Sequence, residues 1–199
     1  MRDLKTDIGG TDIYLLDQIL KERYTANQII LDAGCGSGRN LKWFYKNGVE
    51  IYGVDADSQK IETSKINYPK KLNNFSVEQI DNLSFKDGFF HHIICNAVLH
   101  FAVNEDHFFK MISELIRILK PNGSLFVRIA SNISLEKKVQ HLQEGVYKIP
   151  DGTKRFLLTK TLLEKMMKKH SLEFIEPLKT VNVNDKRGMS TLVLKKPLL

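Results

Sequence analysis

The sequence predicts an α/β fold, in which a mainly parallel sheet is covered by helices on both faces. Short apolar runs typical of buried strands alternate with segments of helical periodicity along most of the chain. The first run leads into a glycine-rich turn, and neither a repeat nor a linker divides the 199 residues. Strands and helices that alternate in this way form right-handed crossover units. We therefore predict one three-layer domain over residues 1–199, which is long enough to bury a sizeable core.

The N-terminal residues 1–27 are predicted to form a helical cap. A helix begins near Thr11 or Asp12, because either side chain can cap it, and ends between residues 23 and 25. Its apolar stripe has helical spacing and consists of Ile13, Leu16, Ile19 and Leu20.

Alternating elements follow the cap. Five strands are predicted, in the segments QIILDA, EIYGVDA, NFSVEQI, FFHHIICNAV and SLFVRIA. Three helices are predicted between them, in RNLKWFYKNG, DSQKIETSKINY and EDHFFKMISELIRILK. Asp57 or Ser58 caps the second of these helices, and KPNG forms a turn before the fifth strand.

The C-terminal part is less regular. The segment LEKKVQHLQEG is predicted to be helical, and LTKTLLEKMMKKH is predicted to be a helix capped by Thr159. Two strand-like pieces follow, LEFIEPLKTVNV and STLVLKK. We predict that residues 131–161 form a lid or a segment that faces the substrate.

The charge and the hydropathy bear on partners and location. The formal net charge of +7 is typical of some proteins that bind polyanions, but most of the excess is scattered lysine. We therefore expect neither a nucleic acid nor a membrane as partner. No run approaches the roughly 20 apolar residues that span a bilayer, and the N-terminus lacks the apolar core of a signal peptide. We expect a cytoplasmic protein.

No metal site is predicted. Cys35 and Cys95 form no short-spaced pair, and we expect them to be packed thiols in a reducing compartment. His91 and His92 are neighbours on a predicted strand, so their side chains point to opposite faces of the sheet.

The glycine-rich turn in LDAGCGSGRN indicates that a ligand approaches the backbone closely. Arg39 stands where the dinucleotide fingerprint requires its third glycine, which argues against a nicotinamide cofactor. Asp32 repels a diphosphate and attracts an ammonium or a sulfonium group. The turn thus favours a ligand with a cationic end, such as S-adenosylmethionine. The alternative is that Asp32 only braces the turn through backbone N–H groups.

A second acidic residue points to an adenosine. Asp55 ends the second predicted strand about 20 residues after the turn, the spacing at which a carboxylate accepts hydrogen bonds from ribose hydroxyls. Nicotinamide cofactors use the same acidic position, so Asp55 supports an adenosine without choosing between cofactors.

The ordered motifs resemble those of a known family. LDAGCGSGRN is followed by VDAD, VEQIDNLSF, FFHHIICNAVLHF and LIRILKPNGSLFVRI. From residue 29 to residue 129 this order resembles the class I S-adenosylmethionine-dependent methyltransferases, of the type that acts on small molecules. The resemblance implies a Rossmann-like three-layer sandwich with a seven-stranded, mostly parallel sheet whose last strand, here STLVLKK, is antiparallel. It also implies S-adenosylmethionine as cofactor and S-adenosylhomocysteine as product.

The resemblance implies the cofactor-binding residues as well. Gly34 and Gly36 lie along the methionine moiety, and Asp32 lies near its ammonium group. Tyr14 closes over the methionine carboxylate, or is an ordinary aromatic of the helix core. The other predicted cofactor-binding residues are Arg39, Asp55, Ala56, Gln79, Ile80, Asn96 and Ala97.

The sequence departs from the family pattern at two positions. Gln79 replaces an Asp that accepts from the adenine amino group, and its side-chain carbonyl is still an acceptor. His91 replaces an Asp that has a structural role before the fourth strand.

Candidate residues for catalysis and for the methyl acceptor lie beyond the strand ends. His100 is predicted to act in acid–base chemistry or substrate contact, because ligands gather at the carboxyl ends of parallel strands. The alternative is a hydrogen-bonded wall residue. Arg128, Arg155 and Arg187 suit a small anionic acceptor, with surface ion pairing as the alternative for each.

The leading hypothesis is methyl transfer from S-adenosylmethionine to a small-molecule acceptor. A second hypothesis makes the acceptor RNA or another nucleic acid. A third is a non-catalytic module that binds S-adenosylmethionine and regulates a partner. A nicotinamide oxidoreductase ranks last because the third fingerprint glycine is missing.

Overall fold

The computed structural model describes residues 4–198, so residues 1–3 of the predicted cap and residue 199 of the predicted domain lie outside the described part. The chain begins with two short helices, α1 (Leu4–Ile8) and α2 (Ile13–Leu20). The side chain of Asp12 caps α2 by accepting from the Tyr14 N–H at 2.9 Å.

Strands and helices then alternate, as predicted. The strands of this part are β1 (Ile29–Ala33), β2 (Glu50–Asp55), β3 (Phe75–Val77), β4 (Phe90–Asn96) and β5 (Leu119–Ser131). The helices are α3 (Lys42–Lys46), α4 (Ser58–Asn67) and α5 (Glu105–Ile118). Two 3₁₀ segments, Pro69–Asn74 and Leu99–Phe101, complete the connections. Asp57 is the residue that caps α4.

The C-terminal part contains six strands and one helix. The strands are β6 (Gln140–Gln143), β7 (Val146–Lys148), β8 (Lys154–Phe156), β9 (Glu173–Phe174), β10 (Lys179–Val183) and β11 (Arg187–Lys195). The helix α6 (Lys160–Lys169) is capped by Thr159, as predicted.

The main sheet has the order β10-β11-β5-β4-β1-β2-β3, and β9 pairs with one end of β11. Strands β1 to β5 pair in parallel, whereas β11 runs antiparallel to both β5 and β10. The predicted fold class, with an antiparallel last strand inserted in a mostly parallel sheet, is confirmed.

The central strands are mostly apolar because both of their faces are covered. On β1, Ile30 packs in the cluster that contains Phe44 of α3, and Leu31 packs in the cluster that contains Leu115 of α5. Successive side chains of a strand point to opposite faces of the sheet, so both faces of these strands pack against an apolar layer of helices. The carboxyl ends of these strands are thereby held rigidly at one edge.

Some local predictions were wrong. The helix expected in residues 135–145 is instead β6 and a turn, because Glu144 and Gly145 both have positive φ (41° and 86°) and join β6 to β7 as a hairpin. KPNG is not a separate turn, since β5 already begins at Leu119 and takes these residues as an irregular part of the strand, with Asn122 at φ 61°.

The cap helix also differs from its predicted pattern. It ends at Leu20 rather than at residues 23–25. Ile13 and Leu20 are exposed, whereas Leu15 and Ile19 are buried. The inward face is therefore rotated from the predicted stripe, because the cap docks through Leu15.

His91 and His92 lie on opposite faces, as predicted. The Nδ1 atom of His91 accepts from the Ile29 N–H at 3.0 Å, and Nδ1 of His92 lies 2.6 Å from the Ser124 hydroxyl. Residues 4–198 contain no cluster of three side chains suited to a metal ion. None of the helices in the same range has the length and apolar character needed to span a bilayer.

Candidate active site

The glycine-rich turn follows the carboxyl end of β1 and is hydrogen-bonded to the carboxyl end of β2. The carbonyl of Val54 accepts from the N–H groups of Gly34 and Cys35, at 2.8 and 2.9 Å. The N–H of Gly36 donates to Oδ2 of Asp55 at 2.8 Å. The turn and the acidic end of β2 therefore form one hydrogen-bonded unit.

Glycine is favoured at two positions of this turn for different physical reasons. A Cβ on Gly34 would collide with the side chain of Val98, which packs directly on the turn. Gly36 has φ +56°, and a Cβ there would meet no atom within 4 Å. Gly34 thus permits close packing of the chain after β4, and Gly36 leaves free space in which a ligand can approach the backbone.

Asp32 is fully buried at the end of β1. Neither of its carboxylate oxygens has a hydrogen-bond partner among the described residues. Burial raises the pKa of this carboxyl to about 7, against a smaller opposing effect of the Arg39 charge. No backbone N–H group braces it, so the arrangement suits a cationic ligand group that would restore the ionised form.

Asp55 is held by two backbone groups. Its Oδ2 atom accepts from Gly36, and its Oδ1 atom accepts from the Asp57 N–H at 2.9 Å. Each carboxylate oxygen has a further lone pair. The carboxylate is thus fixed in orientation and still able to accept from two hydroxyl groups.

Asp55 lines a cavity of about 350 Å³, which we call the first cavity. Seven of the predicted cofactor-binding residues line it together: Gly34, Asp55, Ala56, Gln79, Ile80, Asn96 and Ala97. Its other lining residues are Glu78, Val98, Phe101, His107 and Met111. The Glu78 carboxylate is already engaged by Ser76 and Ser84.

The end of β4 carries an unusual polar residue. Asn96 is 6 % exposed, and neither Oδ1 nor Nδ2 has a hydrogen-bond partner among the described residues. The next residue, Ala97, has φ +63° and donates its N–H to the Arg128 carbonyl at 2.8 Å. A buried amide without hydrogen bonds lowers the stability of the folded chain. The side chain of Asn96 is therefore better suited to binding a ligand than to stabilising the fold.

A second cavity, of about 700 Å³, adjoins the first. Ala97 and Phe101 line both cavities. The second is rich in cations, with one acidic residue, Asp151: its charged and histidine lining residues are His100, Arg128, Asp151, Arg155, Lys186 and Arg187.

The three predicted acceptor arginines meet in the second cavity with different partners. Arg128 binds Asp12 at 2.7 Å, and its guanidinium lies 5.1 Å from the centre of the Tyr14 ring. Arg187 donates to Asp151 at 2.9 Å. Arg155 lies 5.1 Å from the Phe101 ring centre and pairs with no acidic residue of the described chain.

His100 also lines the second cavity. Its Nδ1 atom accepts from the Ala130 N–H at 3.4 Å, which assigns the hydrogen of the neutral ring to Nε2. Burial, reinforced by the charges of Arg155 and Arg187, lowers its pKa to about 4. At neutral pH His100 is therefore a hydrogen-bond donor.

Tyr14 and Arg39 line neither cavity and instead dock the cap. Arg39 is exposed and donates to the Gly10 carbonyl at 2.7 Å. Asn40 accepts from the Asp12 N–H at 3.1 Å. The cap is thus tied both to the glycine-rich turn and, through Arg128, to β5.

Comparison with known proteins decides the class of this site. Residues 31–127 match the sequence model of a methyltransferase domain. This segment is a class I, S-adenosylmethionine-dependent methyltransferase domain. Its boundaries run from the end of β1 to β5 and so include the glycine-rich turn, Asp55 and Asn96.

Several proteins that are similar in sequence to this chain are named as tRNA methyltransferases. The tRNA N(3)-methylcytidine methyltransferase trm140 of Schizosaccharomyces pombe is 30% identical over 158 residues, which are 73% of this chain and 51% of that protein. The tRNA N(3)-cytidine methyltransferase METTL2 of Danio rerio is 28% identical over 181 residues, 82% of this chain and 50% of that protein. The chain thus spans about half the length of these relatives. The expectation that a nucleic acid is not a partner was wrong, because these relatives are named for tRNA as their substrate. That expectation relied on the lysines being scattered, whereas the cations that line the second cavity are three arginines and one lysine.

Solved structures confirm the fold. A S-adenosylmethionine-dependent methyltransferase from Methanosarcina mazei superposes with a TM-score of 0.74 at 21% identity, covering 91% of this chain and 98% of that one. The similarity extends well beyond residues 31–127 and therefore includes the C-terminal strands.

The cofactor fits the residues present. The unpartnered Asp32 carboxylate offers a cation acceptor, Gly36 leaves open space beside the backbone, and the oriented Asp55 offers a hydroxyl acceptor. Asp32 and Gly36 stand two residues before and after Gly34, but only Gly34 and Asp55 of these four residues line the first cavity. Sequence reasoning missed Val98, Phe101 and Lys186. The first two belong to NAVLHF beside the predicted His100, whereas no local signal marks Lys186.

Proposed function

We propose that this methyltransferase modifies a nucleotide of RNA, with tRNA as the first class to test. The observation that carries the proposal is the second cavity, in which Arg155 and Lys186 accompany the exposed ring of Phe101 next to the first cavity. Cations suit phosphates, and aromatic and guanidinium planes suit unstacked bases. The named tRNA methyltransferases among the relatives support the same class of acceptor.

In this proposal the two cavities bind different molecules, the first the cofactor and the second the methyl acceptor. The first holds the cofactor with Asp32 facing the ammonium group and Asp55 the ribose, while Tyr14 and Arg39 keep the cap closed over it. When bound, S-adenosylmethionine supplies a methyl group whose bond to sulfur breaks, leaving the electron pair on sulfur, as a lone pair of the acceptor attacks the carbon. Much of the rate enhancement then comes from holding the acceptor atom in line with the bond between the methyl carbon and sulfur.

The chain's own residues orient the acceptor. Asn96 lines the first cavity next to Ala97, which lines both cavities, and in this proposal its unpartnered Oδ1 accepts from an acceptor N–H and so directs the lone pair. His100 contacts the acceptor as a donor through Nε2. Arg128, Arg155 and Arg187 contact its anionic groups, and residues 131–161 face it through β8, which carries Arg155.

Transfer of tritium from labelled S-adenosylmethionine tests the proposal. With unmodified tRNA transcripts as acceptors we expect acid-precipitable label, lost in Asp55→Asn and reduced at least about tenfold in Arg155→Ala, since a hydrogen bond to a charged group contributes about 1.5–3 kcal/mol. Lys168→Ala, an exposed lysine of α6, is the charge-matched control and should be unchanged. Absence of label on tRNA from protein that still binds S-adenosylhomocysteine would overturn the acceptor assignment.

A further inference from the structure

A third cavity lies against the small sheet formed by β6, β7 and β8. It measures about 290 Å³ and shares one wall, made of His100, Phe101 and Arg155, with the second cavity. Its other lining residues are Ala102, Val103, Gln143, Val146, Lys154 and Phe156. The two cavities are thus neighbours on either side of the Phe101–Arg155 pair.

The chemistry of the third cavity differs from that of a simple apolar groove. It contains the charges of Lys154 and Arg155 and the amide of Gln143, and none of its lining residues is acidic. Phe101 and Val103 are 60 % and 63 % exposed. A phosphate, a base face and a base edge each find a suitable group here.

The small sheet that forms this cavity is firmly attached to the domain. The Phe156 ring stacks on Phe108 of α5, with 5.1 Å between ring centres. The Leu158 N–H donates to the Ala130 carbonyl of β5 at 3.0 Å. The distance between the second and third cavities is therefore set by the fold, as a reader of neighbouring nucleotides requires.

We propose that the third cavity binds the nucleotide next to the methylated one in a single-stranded segment of RNA. The inference rests on the proposed function. Phe101 and Arg155 form the partition on which the flanking base stacks, Lys154 neutralises its phosphate, and Gln143 contacts its edge. Single-stranded loops are the form of RNA in which neighbouring bases are free to separate in this way.

Fluorescence anisotropy with fluorescein-labelled decauridylate, in saturating S-adenosylhomocysteine and at several salt concentrations, tests the inference. We expect Lys154→Ala to weaken binding about three- to tenfold at low salt and to reduce the salt slope by about one. Gln143→Ala should weaken binding with an unchanged slope, because an amide neutralises no phosphate. Both side chains are exposed, so neither variant should disturb folding.

The control and the other outcomes separate this inference from the proposed function. Lys168→Ala should bind like the wild type. Binding that is lost in Lys154→Ala but unchanged in Gln143→Ala would show a general electrostatic attraction and overturn the third cavity as a nucleotide site, as would unchanged binding in both variants. If tRNA is methylated in those cases, the proposed function stands. A wild-type protein that neither binds the decamer nor methylates tRNA would remove both.

Discussion

At the residue scale, the buried and unpaired carboxylate of Asp32 is unfavourable for the stability of the fold but suited to binding a cationic ligand group. Its oxygens lack hydrogen bonds, and burial raises its pKa to about 7. A cationic group placed against it would favour the ionised form and lower this pKa again. Binding of the cofactor should therefore be linked to loss of a proton from Asp32 near neutral pH.

The first prediction concerns Asp32→Asn. In the wild type, affinity for S-adenosylhomocysteine should rise between pH 6 and pH 8, because Asp32 must ionise to pair with the ammonium group. In the variant, affinity should fall at least about tenfold at pH 8 and lose this pH dependence. Calorimetric titrations at three pH values measure both effects. The same rise with pH in the variant would assign the proton to another group.

Local sequence was sufficient to predict that Asp32 and Asp55 lie near the carboxyl ends of β1 and β2, because each acidic residue follows an apolar run and their spacing is that of one strand–helix–strand unit. Phe101 and Lys186 were not predictable in the same way. Both line the second cavity because the segment before β11 and the 3₁₀ turn after β4, which are far apart in the chain, lie at the same cavity.

At the element scale, the cap helix α2 is fastened near its first turn to the second cavity. Asp12 caps the helix and also forms a nearly buried ion pair with Arg128. Arg128 in turn lies over Tyr14. The cap helix is thus linked to a residue that lines the second cavity.

The second prediction tests this link. Asp12→Asn keeps a capping oxygen but removes the charge that faces Arg128. We expect S-adenosylhomocysteine to dissociate several-fold faster, as measured by displacement kinetics. Glu22→Gln removes an exposed negative charge just after the same helix and should leave the rate unchanged. Equal dissociation rates in the wild type and Asp12→Asn would show that the cap is held by other contacts.

Element prediction succeeded for β1, β2 and β4 because each of these strands contains a run of apolar residues that is covered on both faces. It failed for residues 135–145, whose Leu, Glu, Lys and Gln are good helix formers. There, tertiary contact decides: Tyr147 and Val139 pack on the cluster of Ala130, Ile149, Leu157 and Met189, which holds the small sheet against β5 and β11. Propensity within the segment contains no information about that contact.

At the scale of the whole molecule, three buried groups make the free energy of unfolding depend on pH, and two of them act in the opposite direction to the third. Burial lowers the pKa values of His92 and His100 to about 4, so the unfolded chain takes up protons near pH 6.5 that the folded chain refuses. The stability that these two neutral histidines contribute to the folded state is therefore lost as the pH falls from 7 to 5. The raised pKa of Asp32 acts in the other direction, because the folded chain retains a proton there that the unfolded chain loses near pH 4.

The third prediction follows from these signs. Between pH 7 and pH 5, each histidine should remove about 2 kcal/mol of stability and Asp32 should return about 2 kcal/mol. Without cofactor, the free energy of unfolding should therefore fall by about 2 kcal/mol in the wild type and by about 4 kcal/mol in Asp32→Asn. Urea unfolding at both pH values measures this difference. A smaller pH dependence in the variant than in the wild type would contradict the assignment.

The most direct test of the cofactor site is calorimetric titration with S-adenosylhomocysteine of the wild type, Asp55→Asn and Asp57→Asn. Asp57 lies two residues from Asp55 but caps α4, a role that Asn fills equally well. We predict binding of one molecule per chain, a loss of about tenfold or more in Asp55→Asn, since two charge-assisted hydrogen bonds are weakened, and wild-type affinity in Asp57→Asn. Equal affinity of the wild type and Asp55→Asn would contradict the placement of the cofactor between the glycine-rich turn and the end of β2.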